Sequence, residues 1–176
     1  MDEWMIANHL KLNTDKTETL IVKTKNHFDN QVIDSIIISP NADVAKGTIK
    51  PSPAIKSLGI LFDENLSFED QVNVTIQSCY INLRNLRAIG SKLNFKLKKQ
   101  LIHCLIFFKM DYCNGIFYGL PNYLILKLQK VQNACVRFLC GKKIKKWDHV
   151  TPFLKDAHFL PVRYRIEYKL ALVTFK

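Results

Sequence analysis

The stretch IKSLGILFDENLSFEDQVNVTIQSC, residues 55–79, contains the change of period on which the fold turns. Through Phe62 it is apolar and partly β-branched, which reads as a strand over Ile55–Phe62, with Gly59 marking a bulge or a close backbone approach. Ser67-Phe-Glu-Asp70 then reads as a capping-box-like helix start. From there Val72, Ile76, Cys79, Leu83 and Leu86 recur at three-to-four spacing, the period of a helix face.

Working upstream, the short segments are strand-like. Thr19–Thr24 and Ile33–Ser39 are rich in β-branched residues, and a further short strand is predicted at Val44–Ile49 inside a turn-rich tract. Residues 2–9 read as the tail of a helix too short to stand alone. Working downstream, everything is helical. A second helix is predicted to set Leu97, Leu101, Leu105 and Phe108 on one stripe, and a break follows at Gly119 and Pro121. A third carries Leu124, Leu128, Val131, Cys135 and Phe138 and ends at Gly141. After a short helix near Thr151–Ala157, a last one starts at Pro161 with Val162, Ile166, Leu170 and Val173 in line. The expected fold is α+β with segregated elements: a small β-rich piece over residues 1–66, then an all-helical region over 67–176.

An apolar fraction of 48% in 176 residues is enough for one core or two small ones. The longest near-continuous apolar run, LIHCLIFF at 101–108, is far below the roughly 18 residues that span a bilayer. The acidic start MDEWM is not a secretory leader. Five cysteines, an odd number with no C-x-x-C, read as buried free thiols of an intracellular protein, cytoplasmic or nuclear. Cys135, Cys140, His149 and His158 match no common zinc spacing.

Charge is unevenly spread. Residues 1–66 hold seven lysines against nine acids, net −2, while residues 67–176 hold 19 lysines and arginines against six acids, net +13. Such a bias suits a polyanionic partner, or else a solvated lysine-rich surface. The candidate contacts are Lys96, Lys98, Lys99, Lys142, Lys143, Lys145, Lys146, Arg163 and Arg165, interleaved with Tyr112, Phe117, Tyr118 and Trp147. Cations hold phosphates without reading sequence, and aromatic faces stack on bases. The pair Asp63-Glu64 follows a strand as metal-binding carboxylates do in polymerase palms. It lacks a returning strand and a third acid, and reads instead as a turn with favourable charge near a helix N-terminus. His103 reads as a structural helix residue, and His149 and His158 as capping groups.

Four stretches together resemble the C-terminal part of a non-LTR (LINE-type) retrotransposon reverse transcriptase. They are WMIANHLKLNTDKTETLIV, IKSLGILFDENLSFEDQV, MDYCNGIFYGLPNYLILKLQKVQNACVRFLCG and DHVTPFLKDAHFLPVRYRIEYKLALVTFK, in the family's order, with Phe159 where the family suggests Trp. The resemblance implies that the β-rich piece is the remnant of a polymerase palm and the basic helices a thumb-like region holding an RNA or DNA template–primer. It implies a β-hairpin at Lys56-Ser57-Leu58-Gly59 that grips the primer, with Gly59 admitting close backbone approach. Lys16 would lie near the incoming nucleotide's phosphates as a general acid toward pyrophosphate, or else be an exposed turn lysine beside Asp15 and Glu18. The family's paired aspartates, which hold catalytic Mg²⁺, lie upstream of the matching stretches. The chain by itself is therefore expected to bind no cofactor and to polymerise nothing. A helical protein-interaction module and a non-functional relic are the competing readings.

Overall fold

The computed structural model describes residues 2–10, 13, 16–22, 36–38, 47–145 and 147–175. The chain divides into two compact units, Met1–Phe68 and Glu69–Lys176. The described residues are mostly helical, and the strands form two small antiparallel pairs, an arrangement compatible with α+β.

In the first unit, α1 (Asp2–Ala7) precedes β1 (Ile36–Ile38) and β2 (Gly47–Ile49), which pair with Ile36 opposite Ile49 and Ile38 opposite Gly47. The flanks of the strands expected at Ile33–Ser39 and Val44–Ile49 lie outside the described residues. The strand expected at Thr19–Thr24 is replaced by a single bridge between Thr19 and Pro51. Pro51 has no N–H to extend a ladder, and Thr19 O instead accepts from Ser52 N–H at 2.8 Å. Leu20–Val22 have no regular structure, and Lys23 and Thr24 are not described.

Ile55–Phe62 is not one strand. It is a hairpin of β3 (Ala54–Ser57) and β4 (Ile60–Asp63), with Ser57 opposite Ile60. Its two-residue turn, Leu58-Gly59, has positive φ at both positions, 47° and 85°. Two left-handed residues match the right-handed twist of the flanking strands, and this turn class favours Asn-Gly. Gly59 is therefore explained by the turn itself. Leu58 is strained there and 89% exposed at the tip. Leu58→Asn is expected to raise the free energy of the hairpin's local unfolding by about 1 kcal/mol, read by amide exchange across β3 and β4. An unchanged or faster exchange would show that the tip does not limit the hairpin.

The second unit is built on α5 (Asn122–Cys140), which packs against α2 (Glu69–Ile89), α3 (Phe95–Ile102), α6 (Thr151–Asp156) and α7 (Val162–Thr174). The predicted faces of α2 and α5 are largely those buried: Val72, Cys79, Leu83 and Leu86 on one, Leu124, Leu128, Val131 and Cys135 on the other. Gly90 passes so close to Phe138 that an added Cβ would sit 2.7 Å from the ring. In α7, Val162 and Ile166 are buried but Val173 is exposed.

The stripe expected on the second helix is wrong. Leu97, Leu105 and Phe108 are exposed, and the buried face is Ile102, Ile106, Phe107 and Met110. The cause is a π-helical segment, His103–Phe107, between α3 and α4 (Phe108–Asp111), in which Phe108 N–H donates to the carbonyl of His103 five residues back. One wide turn breaks the 3.6-residue bookkeeping of the apolar face. The thiols also divide: Cys79 and Cys135 are buried, whereas Cys104 and Cys113 are exposed.

Candidate functional site

Among the proposed phosphate contacts, Lys96 is exposed on α3, whose N-terminus is capped by Asn94, its side-chain oxygen accepting from Leu97 N–H at 2.9 Å. Lys98 places its ammonium 5.3 Å from the ring centre of Phe138, in the last turn of α5. That is the end of α5 from which the 3₁₀ turn Gly141–Lys143 departs, with Lys143 and Lys145 exposed beyond it. The side chain of Lys142 and all of Lys146 lie outside the described residues. Arg163 sits near the opposite end of α5, donating to Asn122 Oδ1 at 2.7 Å. There it helps line a cavity of about 270 Å³ together with Phe117, Tyr118, Leu120 and Ile125. Sixteen residues of helix separate Asn122 from Phe138, or roughly 24 Å at 1.5 Å per residue. These cations thus occupy two separate stations along α5.

The basic turn after α5 is held by a residue that the sequence reading passed over. Arg137 donates to the carbonyls of Lys145 at 2.9 Å and Asp148 at 3.0 Å, and Asp148 Oδ2 accepts from Lys145 N–H at 2.8 Å. An arginine in the last turn of a helix is well placed to bind carbonyls beyond it. Side-chain amides do similar work at the start of α7. Fully buried Gln132 donates to Leu160 O at 2.8 Å, and Gln129 Oε1 accepts from Val162 N–H at 2.9 Å.

Lys99 and Arg165 meet around a cluster of rings. The buried rings of Phe107 and Phe159 lie edge to face, 4.8 Å between centres. His103 stands edge-on to both, at 5.1 Å from each. The Lys99 ammonium is 5.7 Å from the centre of Phe159, and the Arg165 guanidinium 4.8 Å from that of Phe107. Arg165 is also ion-paired to Asp111, through Nε to Oδ1 at 2.9 Å and through its second nitrogen to Oδ2. Arg165 is therefore committed partly to holding α7 on α4. Partial burial lowers the pKa of His103, and Arg165 and Lys99 lower it further, against an opposing pull from Asp111.

In the first unit, Lys16 is exposed, and its N–H closes a turn on Asn13 O at 3.2 Å. Asp15 lies outside the described residues. Lys56 and Ser57 are exposed on β3. Asp63 closes the loop into α2: Oδ1 accepts from Asn65 and Ser67 N–H, both at 3.0 Å, and Oδ2 from Phe68 N–H at 2.9 Å and the Ser67 hydroxyl at 3.1 Å. With four donors on its two oxygens, this carboxylate does not fit a metal-ligand role. Burial raises its pKa, but the backbone N–H groups of Ser67, Phe68 and Asn65 and the Ser67 hydroxyl outweigh that, and the net shift is downward. A lowered folded-state pKa stabilises above the unfolded value and loses that contribution as pH falls through the folded one. Asp63→Ala is expected to cost about 1–3 kcal/mol at pH 7 and less at pH 3, below the unfolded value, measured by exchange of the Ser67 and Phe68 amides. An equal effect at both pH values would show that the carboxylate charge is not what holds the loop.

Among the described residues no three His, Cys, Asp or Glu side chains converge as a metal site, and no helix is long and apolar enough to cross a membrane. Burial pushes the Cys79 thiol up to about 11 and that of Cys135 to about 12, so neither is a nucleophile near neutral pH. No protein-family model, curated protein or solved structure compared with the chain matches it significantly.

Proposed function

We propose that this chain is the C-terminal part of a non-LTR retrotransposon reverse transcriptase, the end of a palm followed by a thumb. In this reading it binds an RNA or DNA template–primer without regard to sequence and does not itself join nucleotides. The family reading rests on the four sequence stretches. The binding reading is supported above all by the imbalance of charge on the helical unit. Residues 69–176 carry 19 lysines and arginines against six acids. However the side chains pair, six acids cannot neutralise that many cations. Two of the cations, Lys127 and Arg165, are held in ion pairs among the described residues. Among the others, Lys96, Lys143 and Lys145 are exposed and available to replace the counterions of a phosphate backbone.

The test is a salt titration of binding to an end-labelled RNA–DNA duplex and to unrelated sequences of equal length. Affinity is expected to fall about 10²–10³-fold between 50 and 200 mM salt, equally for every sequence. Flat salt dependence, or no binding at low salt, would refute the reading. Template-dependent extension of the primer with Mg²⁺ would refute its second half. The exposed Tyr164, Tyr168 and Leu172 of α7 favour the alternative of a protein-docking helix. That reading predicts capture of a partner that survives nuclease treatment.

A further inference from the structure

His103, read from sequence as structural, is an exposed residue whose ring stands edge-on to two buried phenyl rings. Lys99 lies one helical turn before it, so both project from the same side of the helix. Arg165 reaches one of these rings, Phe107, from α7, and the Lys99 ammonium lies against the other, Phe159. Each of the three groups is held in place by packing, which spares part of the entropy that a free surface lysine would lose on binding. The charged groups that face His103 are Lys99, Arg165 and Asp111. They sum to +1 before His103 adds its own charge.

We infer that Lys99, His103 and Arg165 together seat one backbone phosphate of the bound nucleic acid, with His103 its pH-dependent member. The inference rests on the nucleic-acid reading of the helical unit. A neutral His103 offers the phosphate one N–H at most. A protonated one offers a second donor and a full charge. Partial burial and the two neighbouring cations lower the pKa of the imidazole and so disfavour its protonated form in the free protein, against an opposing pull from Asp111. A phosphate in the seat opposes those cations and favours the protonated form. By linkage, affinity then rises as pH falls through the His103 titration.

The experiment is the duplex-binding measurement at fixed salt and pH 5.5, 6.5 and 7.5, for the unaltered chain and for His103→Phe, which keeps a ring against Phe107 and Phe159. The unaltered chain should bind about tenfold tighter at pH 5.5 than at 7.5. H103F should lose most of that gain, and its affinity should change less between pH 5.5 and 7.5 than that of the unaltered chain. The other histidines are present in both proteins, so they cancel in the comparison. An equal pH dependence in the two proteins overturns the seat and leaves the binding reading intact. Absence of binding at every pH overturns both. Should H103F fold poorly, the imidazole titration of His103 can be followed by NMR in the unaltered chain. Its midpoint should move upward when duplex is added, and an unmoved midpoint overturns the seat.

Discussion

Phe107→Ala should destabilise the helical unit by about 3–5 kcal/mol, the usual cost of emptying a fully buried phenyl site. Phe107 is 1% exposed and is among the largest side chains so enclosed. Three ring or cation partners depend on it: Phe159 and His103 edge to face, and Arg165 over its face. It sits at the end of the π segment, so the loss falls where α3, α4 and the residues before α7 meet. Relaxation is restricted, because Ile102 and Ile106 beside it are themselves fully enclosed. Urea unfolding followed by helical circular dichroism measures the effect, since the described helices are concentrated in this unit. Phe107→Leu should cost less than half as much. A loss below about 1 kcal/mol for the alanine variant would mean that the ring cluster is not a core.

Asp111→Ala should cost about 2–3 kcal/mol, mainly because it strands a cation. The Arg165 side chain is 18% exposed and that of Asp111 35%, so the pair is neither a surface bridge nor a fully buried one. Surface pairs contribute about 0–1 kcal/mol, while opening a buried pair costs about 3–5. The bidentate geometry and the burial of Arg165 against Phe107 place this pair between those limits. Asp111 Oδ1 also accepts from Asn114 Nδ2 at 3.3 Å, and Asn114 already has a buried carbonyl oxygen with no partner. The double variant Asp111→Leu with Arg165→Met removes both charges and should recover most of the loss. A double-mutant cycle reads the coupling directly. If the two single effects simply add, the ion pair is not the link between α4 and α7. Losing the carboxylate also removes the one acid that raises the pKa of His103, so its titration should move further down.

Several features of the fold follow from residues close in sequence. The replacement of an apolar, partly β-branched run by a 3.6-residue period between Phe62 and Val72 locates the passage from strands to helix. The same local logic places the buried faces of α2 and α5 and the end of α5 before Gly141. Each depends on dihedral preferences and on neighbours within one or two turns, and these are written along the chain. The uneven charge is likewise a property of composition alone.

Other features depended on partners distant in sequence. Leu58 adopts positive φ because the register of β3 with β4 leaves two residues to turn the chain, although its own preference opposes this. The stripe on α3 was misread because one π turn moved the buried face onto Ile106 and Phe107. A 3.6-residue period does not register such a turn, and the face it buries is covered by α2 and by Phe159. His103, Phe107, Phe159 and Arg165 span 62 positions of sequence, and only the packing of α7 beside the π segment joins them into one cluster. The sequence by itself determined where strands end, where helices begin and which part of the chain carries the positive charge. Tertiary structure alone decided which face of the α3–α4 stretch is buried and which cations meet one ring cluster, because burial and proximity are set by the surface an element packs against.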